Sequence, residues 1–365
     1  MVKKDIHAEP FDDTTISKLL IFENYAKEWI PTFIYLKVER ICIFDFFAGT
    51  GFDKNHVSGS PIRILDSLKQ YIADILKCDV TVDLFLNEFK PQKFTLLKDA
   101  IESYLSNEPT LASLVNVHYF NEDFDVLYDQ LYPLIRDYPS LVFLDQNGIK
   151  YIRAKYLLSL EETTQTDFLY FISSSAFKRF KDTKEFTDII DVDIAEIEKS
   201  PWNYIHRTLL HQLRQSLPER TDLKLYPFTL KKRGNVYGII FGAKHPRAVE
   251  KFLNVAWSMN PINGDANFDI DDDVSKFQTD LFGGTKRTKI ELFESQFEEA
   301  IMERKVTNNK EAYSFTLDAG HPTKHANAVI SKLRKLNKVQ IAERSLKINF
   351  KAINRGEIVE IRVQP

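Results

Sequence analysis

Cysteine is nearly absent: Cys42 and Cys78 are the only two in 365 residues, and both stand in apolar surroundings. Two thiols cannot build a disulfide framework and are too few for a thiolate zinc cluster. Long apolar runs are missing as well, none reaching the roughly 18–20 residues of a membrane span. The stretch from Met1 to Pro10 is charged and polar, without the apolar core of a signal peptide. These absences predict a cytoplasmic protein with no membrane partner. Charge of one sign is lacking too: a net −3 gives no global nucleic-acid signal, so any basic surface must be local. Histidines are scattered, and although His321 and His325 are four apart, no acid or cysteine nearby completes a ligand set. No metal is expected.

What is present describes a globular chain. Hydrophobic residues make up 44% and charged ones 28%. The 28 Phe and 15 Tyr suit a twisted sheet packed between helices. The length exceeds one core of roughly 100–200 residues, which predicts a large domain and a smaller one. Thr14 to Pro31 reads as an amphipathic helix that Pro31 closes. Arg40 to Phe47 is a continuous apolar strand running into Ala48-Gly49-Thr50-Gly51, and the next helix is expected at Ser60-Pro61, with Ser60 as its cap. Strands at Val80–Leu86, Val115–Phe120, Leu141–Leu144 and Phe168–Ile172 alternate with helices at Lys93–Leu105 and Phe124–Ile135. That alternation predicts an α/β, Rossmann-like, mostly parallel sheet with helices on both faces. Residues 178–217 read as a helical insert or cap. Leu223–Leu230 and Val236–Phe241 form a strand pair around Arg233-Gly234-Asn235, followed by a helix from Pro246 to Met259.

The chemistry-bearing residues gather at the strand ends. Asp45-Phe46-Phe47-Ala48-Gly49-Thr50-Gly51 follows a buried strand, and glycines there let the backbone pass close to a ligand. The site is the carboxyl edge of an open sheet, where such folds bind cofactors. Glu88 follows the second strand, where a carboxylate can accept both ribose hydroxyls of an adenosine. Asn121-Glu122-Asp123 follows the third, where an acid or amide meets an adenine amino group, and Asp145 ends the fourth. A single acid at such a place is more often a helix cap or a solvated loop residue. Four strand ends in register point together to a nucleoside cofactor.

Four stretches carry a family resemblance: Asp45 to Gly51, Gly59-Ser60-Pro61, Phe143-Leu144-Asp145-Gln146-Asn147-Gly148, and Tyr237 to Pro246 with its Lys244-His245-Pro246 signature. Together they resemble the bacterial three-Cys-motif partner (TcmP) family. Turn-prone, acidic Asn260 to Gly284, with Gly283-Gly284 a flexible pair, marks a linker at 263–288; the resemblance implies a methyltransferase-like domain before it, over residues 1–262, and a winged-helix module after it, at 289–365. It further implies S-adenosyl-L-methionine as cofactor, held by Asp45, Ala48, Gly49, Gly51, Glu88 and Asp123, and a protein with a three-cysteine signature as partner. The family's Asp-Pro-Phe-Gly, akin to the Asp-Pro-Pro-Tyr of amino-methyltransferases, departs here to Asp145-Gln146-Asn147-Gly148. Asp145 and Gln146 are expected to orient an acceptor amine, while the stacking ring must come from elsewhere, with Phe177 a candidate, or be absent. Lys244 and His245 either touch an acceptor or a phosphate, or cap the following helix.

The tail reads helix, helix, helix, then two strands around Asn354-Arg355-Gly356, the order of a winged helix. Thr323 to Leu336 is its expected recognition helix, with Lys324, Asn327, Ser331 and Lys335 on one outer face for phosphates and a base edge. Two functions stay open from the sequence. One is methyl transfer to an exocyclic amine on nucleic acid; the other is a catalytically silent adaptor that recruits the partner to nucleic acid.

Overall fold

The computed structural model describes residues 10–146, 154–173, 193–201, 204–232, 235–274 and 287–364. Asn147, Gly148, Phe177, the Arg233-Gly234 turn and Gly283-Gly284 lie outside the described residues, as does much of the expected 178–217 insert. The chain divides into two compact units, Met1–Lys244 and His245–Pro365.

The first unit is built on a seven-stranded sheet. Its strands are β1 (Arg40–Asp45), β2 (Thr81–Asn87), β3 (Val115–Phe120), β4 (Ser140–Leu144), β5 (Thr166–Ser173), β6 (Lys224–Lys232) and β7 (Asn235–Ala243). They lie in the order β3-β2-β1-β4-β5-β7-β6. The first five are parallel, and β7 runs antiparallel to both β5 and β6. This is a Rossmann-like α/β fold, with the order reversing at β1 and β4 and opening a crevice at their carboxyl ends. The helices of this unit are α1 (Asp13–Tyr35), α2 (Ser60–Lys69), α3 (Ile72–Cys78), α4 (Pro91–Ser106), α5 (Pro109–Ala112), α6 (Phe124–Asp137), α7 (Ala154–Glu162), α8 (Ile194–Lys199) and α9 (Ile205–Gln215).

Strand parity sorts the core. Cys42, Phe44, Val142, Leu144, Phe168 and Tyr170 pack with Phe124, Tyr128 and Tyr156 of α6 and α7. On the other face α1 lies across the sheet, its Phe22 ring stacked on Phe143 with centroids 4.0 Å apart. The helix does not stop at Pro31 but continues to Tyr35. Proline deprives the Lys27 carbonyl of its helical donor, and the Tyr71 hydroxyl donates to that carbonyl instead, at 3.3 Å. Nor does Ser60 cap α2. The cap position falls on Gly59, because the Ser60 hydroxyl is engaged with Asp45.

The second unit holds α10 (Pro246–Met259), α11 (Lys289–Met302), α12 (Asn309–Asp318), α13 (Thr323–Lys335), β8 (Val339–Ile341), α14 (Phe350–Asn354) and β9 (Ile361–Val363). Here β8 and β9 pair antiparallel, and the segment before Arg355-Gly356 is the short helix α14 rather than a strand. The division at Lys244/His245 falls earlier than the 263–288 expected for the linker, for α10 belongs with the helices that follow it. Trp257 of α10 lies 4.9 Å from His321 and 4.5 Å from His325, and its Nε1 donates to the Gly320 carbonyl at 2.9 Å. The stretch after α10 is packed rather than loose. The Asn260 amide donates to Asn263, Ala266 and Phe268, and Asn263 is fully buried. Acidic, turn-prone composition marks this turn, but internal hydrogen bonds hold it shut. Among the described residues, no helix is long and apolar enough to cross a membrane.

Candidate functional site

A cleft opens where β1 and β4 end, the switch point at which open α/β sheets take their ligands. Its floor is the loop after β1, where Ala48 and Gly51 face Gly59 and Ser60; its far wall holds Asp145, Phe171 and Tyr237. The near wall is one the sequence does not announce: Phe11 ahead of α1, and Thr14, Thr15 and Lys18 in its first two turns, line it.

The floor is fixed by backbone geometry. Gly49 and Gly51 have φ of 71° and 81°, the left-handed region that favours glycine. A Cβ on Gly51 would stand 3.0 Å from Ala100 of α4, so this glycine serves helix packing as well as the turn. The Gly59 N–H donates to the Gly51 carbonyl at 2.7 Å, folding the loop back on itself. Asp53, almost wholly buried, tethers that fold: its carboxylate accepts from Asn55 and Val57, each at 2.8 Å, and from the Phe11 N–H at 2.7 Å. One side chain thus joins the glycine loop to the segment leading into α1.

Asp45 lies beneath the floor, fully buried. It accepts from the Ser60 hydroxyl at 2.5 Å and the Phe47 N–H at 3.2 Å. Burial pushes its acid up to about 7; nearby Asp145 adds to the rise, while Ser60, Phe47 and Lys18 oppose it. Glu88 is half-buried, and desolvation raises it against the pull of the Lys90 and Gly49 N–H groups and of Lys93. Asn87 binds the loops together. Its amide donates to the carbonyls of Phe46 and Glu122 at 3.2 and 3.1 Å and accepts from the Glu122 N–H at 3.1 Å.

Asp145 meets Lys18 in an ion pair within the cleft, the two side chains 16% and 11% exposed. Its other oxygen, Oδ1, is buried with no hydrogen-bond partner among the described residues. Lys18 also sits 4.7 Å above the Phe171 ring, an arrangement that favours a cation. Phe171 stacks on Tyr237 with centroids 5.6 Å apart and planes 19° from parallel. Antiparallel β7 sets Tyr237 opposite Ser173 and so brings this ring to the cleft. Gln146 is buried beside Asp145.

The structure therefore gathers Asp45, Ala48, Gly49, Gly51, Glu88 and Asp145 around one loop. Asp123 follows Glu122 of the Asn87 clamp, but its carboxylate caps α6 by accepting from the Asp125 N–H at 3.0 Å. The Lys244-His245 pair is split. Lys244 forms an ion pair with Glu161 at 3.2 Å, whereas His245 caps α10, its Nδ1 accepting from the Arg247 N–H at 3.2 Å. On α13 the buried face is Ala326, Val329, Ile330 and Leu333. Lys324, Ser331 and Lys335 are exposed and Asn327 is half-buried, with its amide donating to the Thr323 carbonyl. His321 and His325 face one another, Nδ1 to Nδ1, at 2.9 Å. Among the described residues no group of three or more potential ligands could hold a metal ion.

No protein-family model matches the chain, and no curated protein matches it by sequence. Among solved structures it is similar to the DszA carbon methyltransferase, at 13% identity and a TM-score of 0.32 over 56% of this chain. The match spans about half, 48%, of that protein's chain. It is also similar to a chain of the fibrillarin/Nop5p complex, at 11% identity and a TM-score of 0.29, covering 60% of this chain and 81% of the other.

Proposed function

We propose that the chain is an S-adenosyl-L-methionine-dependent methyltransferase that acts on an exocyclic amine of nucleic acid, with a three-cysteine-motif protein as partner. The observation that carries this reading is Asp145. It follows β4 at the topological switch point, with one buried oxygen lacking a donor among the described residues, on the same wall of the cleft as an aromatic pair. The donor set suits the cofactor. The loop brings Gly51 and Gly59 to the cleft beside Ala48 and Thr50, Glu88 after β2 can accept from ribose hydroxyls, and the Asp145 carboxylate offers negative charge to a sulfonium. When bound, that cofactor supplies an already activated methyl group, so the protein's task is alignment and exclusion of water.

In this reading Asp145 Oδ1 accepts from the acceptor amine and directs its lone pair towards the donor. The Phe171–Tyr237 stack supplies the planar surface that the Gln146-Asn147 sequence lacks. Helices α11, α12 and α13 with the β8–β9 ribbon of the second unit would serve as a winged helix presenting Lys324, Asn327, Ser331 and Lys335 to a nucleic-acid backbone. One observation favours the adaptor alternative: Lys18 already neutralises Asp145.

Transfer of labelled methyl from the cofactor to total RNA or DNA separates the two. The proposal expects incorporation by the wild-type protein and its loss in Asp145→Ala. Cofactor binding without incorporation, with the partner protein present, would establish the adaptor instead; binding of neither cofactor nor nucleic acid would remove both.

A further inference from the structure

Lys18 is the one cation among the described residues that line the cleft. It is 11% exposed, paired with Asp145 and seated over Phe171. Removing an ammonium from water costs several kcal/mol, and a single ion pair returns that cost only incompletely. A lysine so placed has three N–H donors, of which one is directed to Asp145. Electrostatics make the remaining two informative. The cleft has Asp145 on its wall, so a ligand bearing a carboxylate would enter against negative charge unless a cation met it. Lys18 is at hand to meet it. It rises from the near wall, and the Asp53 tether through Phe11 holds that wall to the glycine loop.

We infer that Lys18 is the binding residue for the carboxylate at the amino-acid end of the methyl donor, bridging it to Asp145. This rests on the methyl-donor reading above and adds the orientation of the ligand, with its amino-acid end under α1 and its nucleoside towards Glu88. Thr14 and Thr15 are not needed for this, since their hydroxyls already donate to the Lys231 carbonyl and to Asp12.

Calorimetry on the full chain tests the assignment with two probes that share a nucleoside: S-adenosylhomocysteine, which keeps the amino-acid end, and 5′-methylthioadenosine, which lacks it. Lys18→Met keeps an unbranched apolar stem, one atom shorter, and removes the ammonium over Phe171. Loss of a charge-assisted hydrogen bond should weaken S-adenosylhomocysteine by about tenfold to hundredfold. Methylthioadenosine should stay within about twofold of its wild-type affinity. Lys18→Arg should recover most of the loss. The inference is overturned if Lys18→Met binds S-adenosylhomocysteine as the wild type does, or weakens both probes equally. Wild-type protein that binds neither probe would overturn the methyl-donor reading itself, and this inference with it.

Discussion

Replacing Asp45 by Asn tests the electrostatics beneath the cleft directly. The acid protonates at about 7 in the fold and near 3.8 in the unfolded chain. Between those values the folded protein holds a proton that the unfolded chain has released, so stability falls as pH rises. The contribution is complete below about 3.8 and lost as pH climbs through 7. At about 1.4 kcal/mol for each pH unit of difference, the ionised acid costs the fold at most about 4 kcal/mol by pH 8. Asparagine keeps the shape and a neutral group that can still pair with the Ser60 hydroxyl and the Phe47 N–H. Urea midpoints measured at pH 5.5 and 8.5 should therefore diverge: the wild type should lose stability relative to Asp45→Asn as pH rises, while the variant lacks this component. Parallel pH profiles, or a wild type that gains on the variant at high pH, would refute the reasoning.

Three further outcomes follow from packing and charge. A Cβ on Gly242 would stand 2.1 Å from the Phe168 ring at the centre of the sheet, so Gly242→Ala should destabilise the first unit by about 1–3 kcal/mol in denaturant melts. Asp53→Ala leaves the Phe11, Asn55 and Val57 N–H groups without their acceptor, and hydrogen exchange at these three should quicken by tenfold or more, an opening of about 1–3 kcal/mol. Burial lowers His321 to about 2, with Lys289 adding to the fall, and His325 to about 4, with Lys324 and Lys289 adding. Folded values below the unfolded 6.5 mean stability present above pH 6.5 and lost in acid, which Trp257 fluorescence should report, with a shallower loss in His321→Phe.

Much of the first unit can be read from its pattern because parallel strands are apolar throughout and their ends collect small and acidic residues. β1 running into Gly49 and Gly51 is such a case, and so is Asp145. What escapes is whatever depends on distant chain. Pro31 reads as a helix end because the compensating Tyr71 hydroxyl lies forty residues on. Ser60 reads as a cap because nothing local reveals that Asp45 takes its hydroxyl. The near wall of the cleft was hidden for the same reason: Lys18 is one polar position on an amphipathic helix until α1 is laid across the sheet. Phe171 and Tyr237 become partners only through the antiparallel register of β7 with β5. Asn87, which ties the loops after β1 and β3 together, carries its signal in the sequence: a polar residue closing an apolar strand just before Glu88.

The cleft draws its walls from opposite ends of the first unit. Thr14 at its near wall donates to the carbonyl of Lys231, 217 positions later, and β6 can join the sheet only through β7. A ribosome must therefore release nearly the whole of this unit before Lys18 and Tyr237 can flank the same hollow. Until then the apolar face of α1 and the open edge of β5 lack their last covering strands, the condition in which a nascent chain most needs a chaperone.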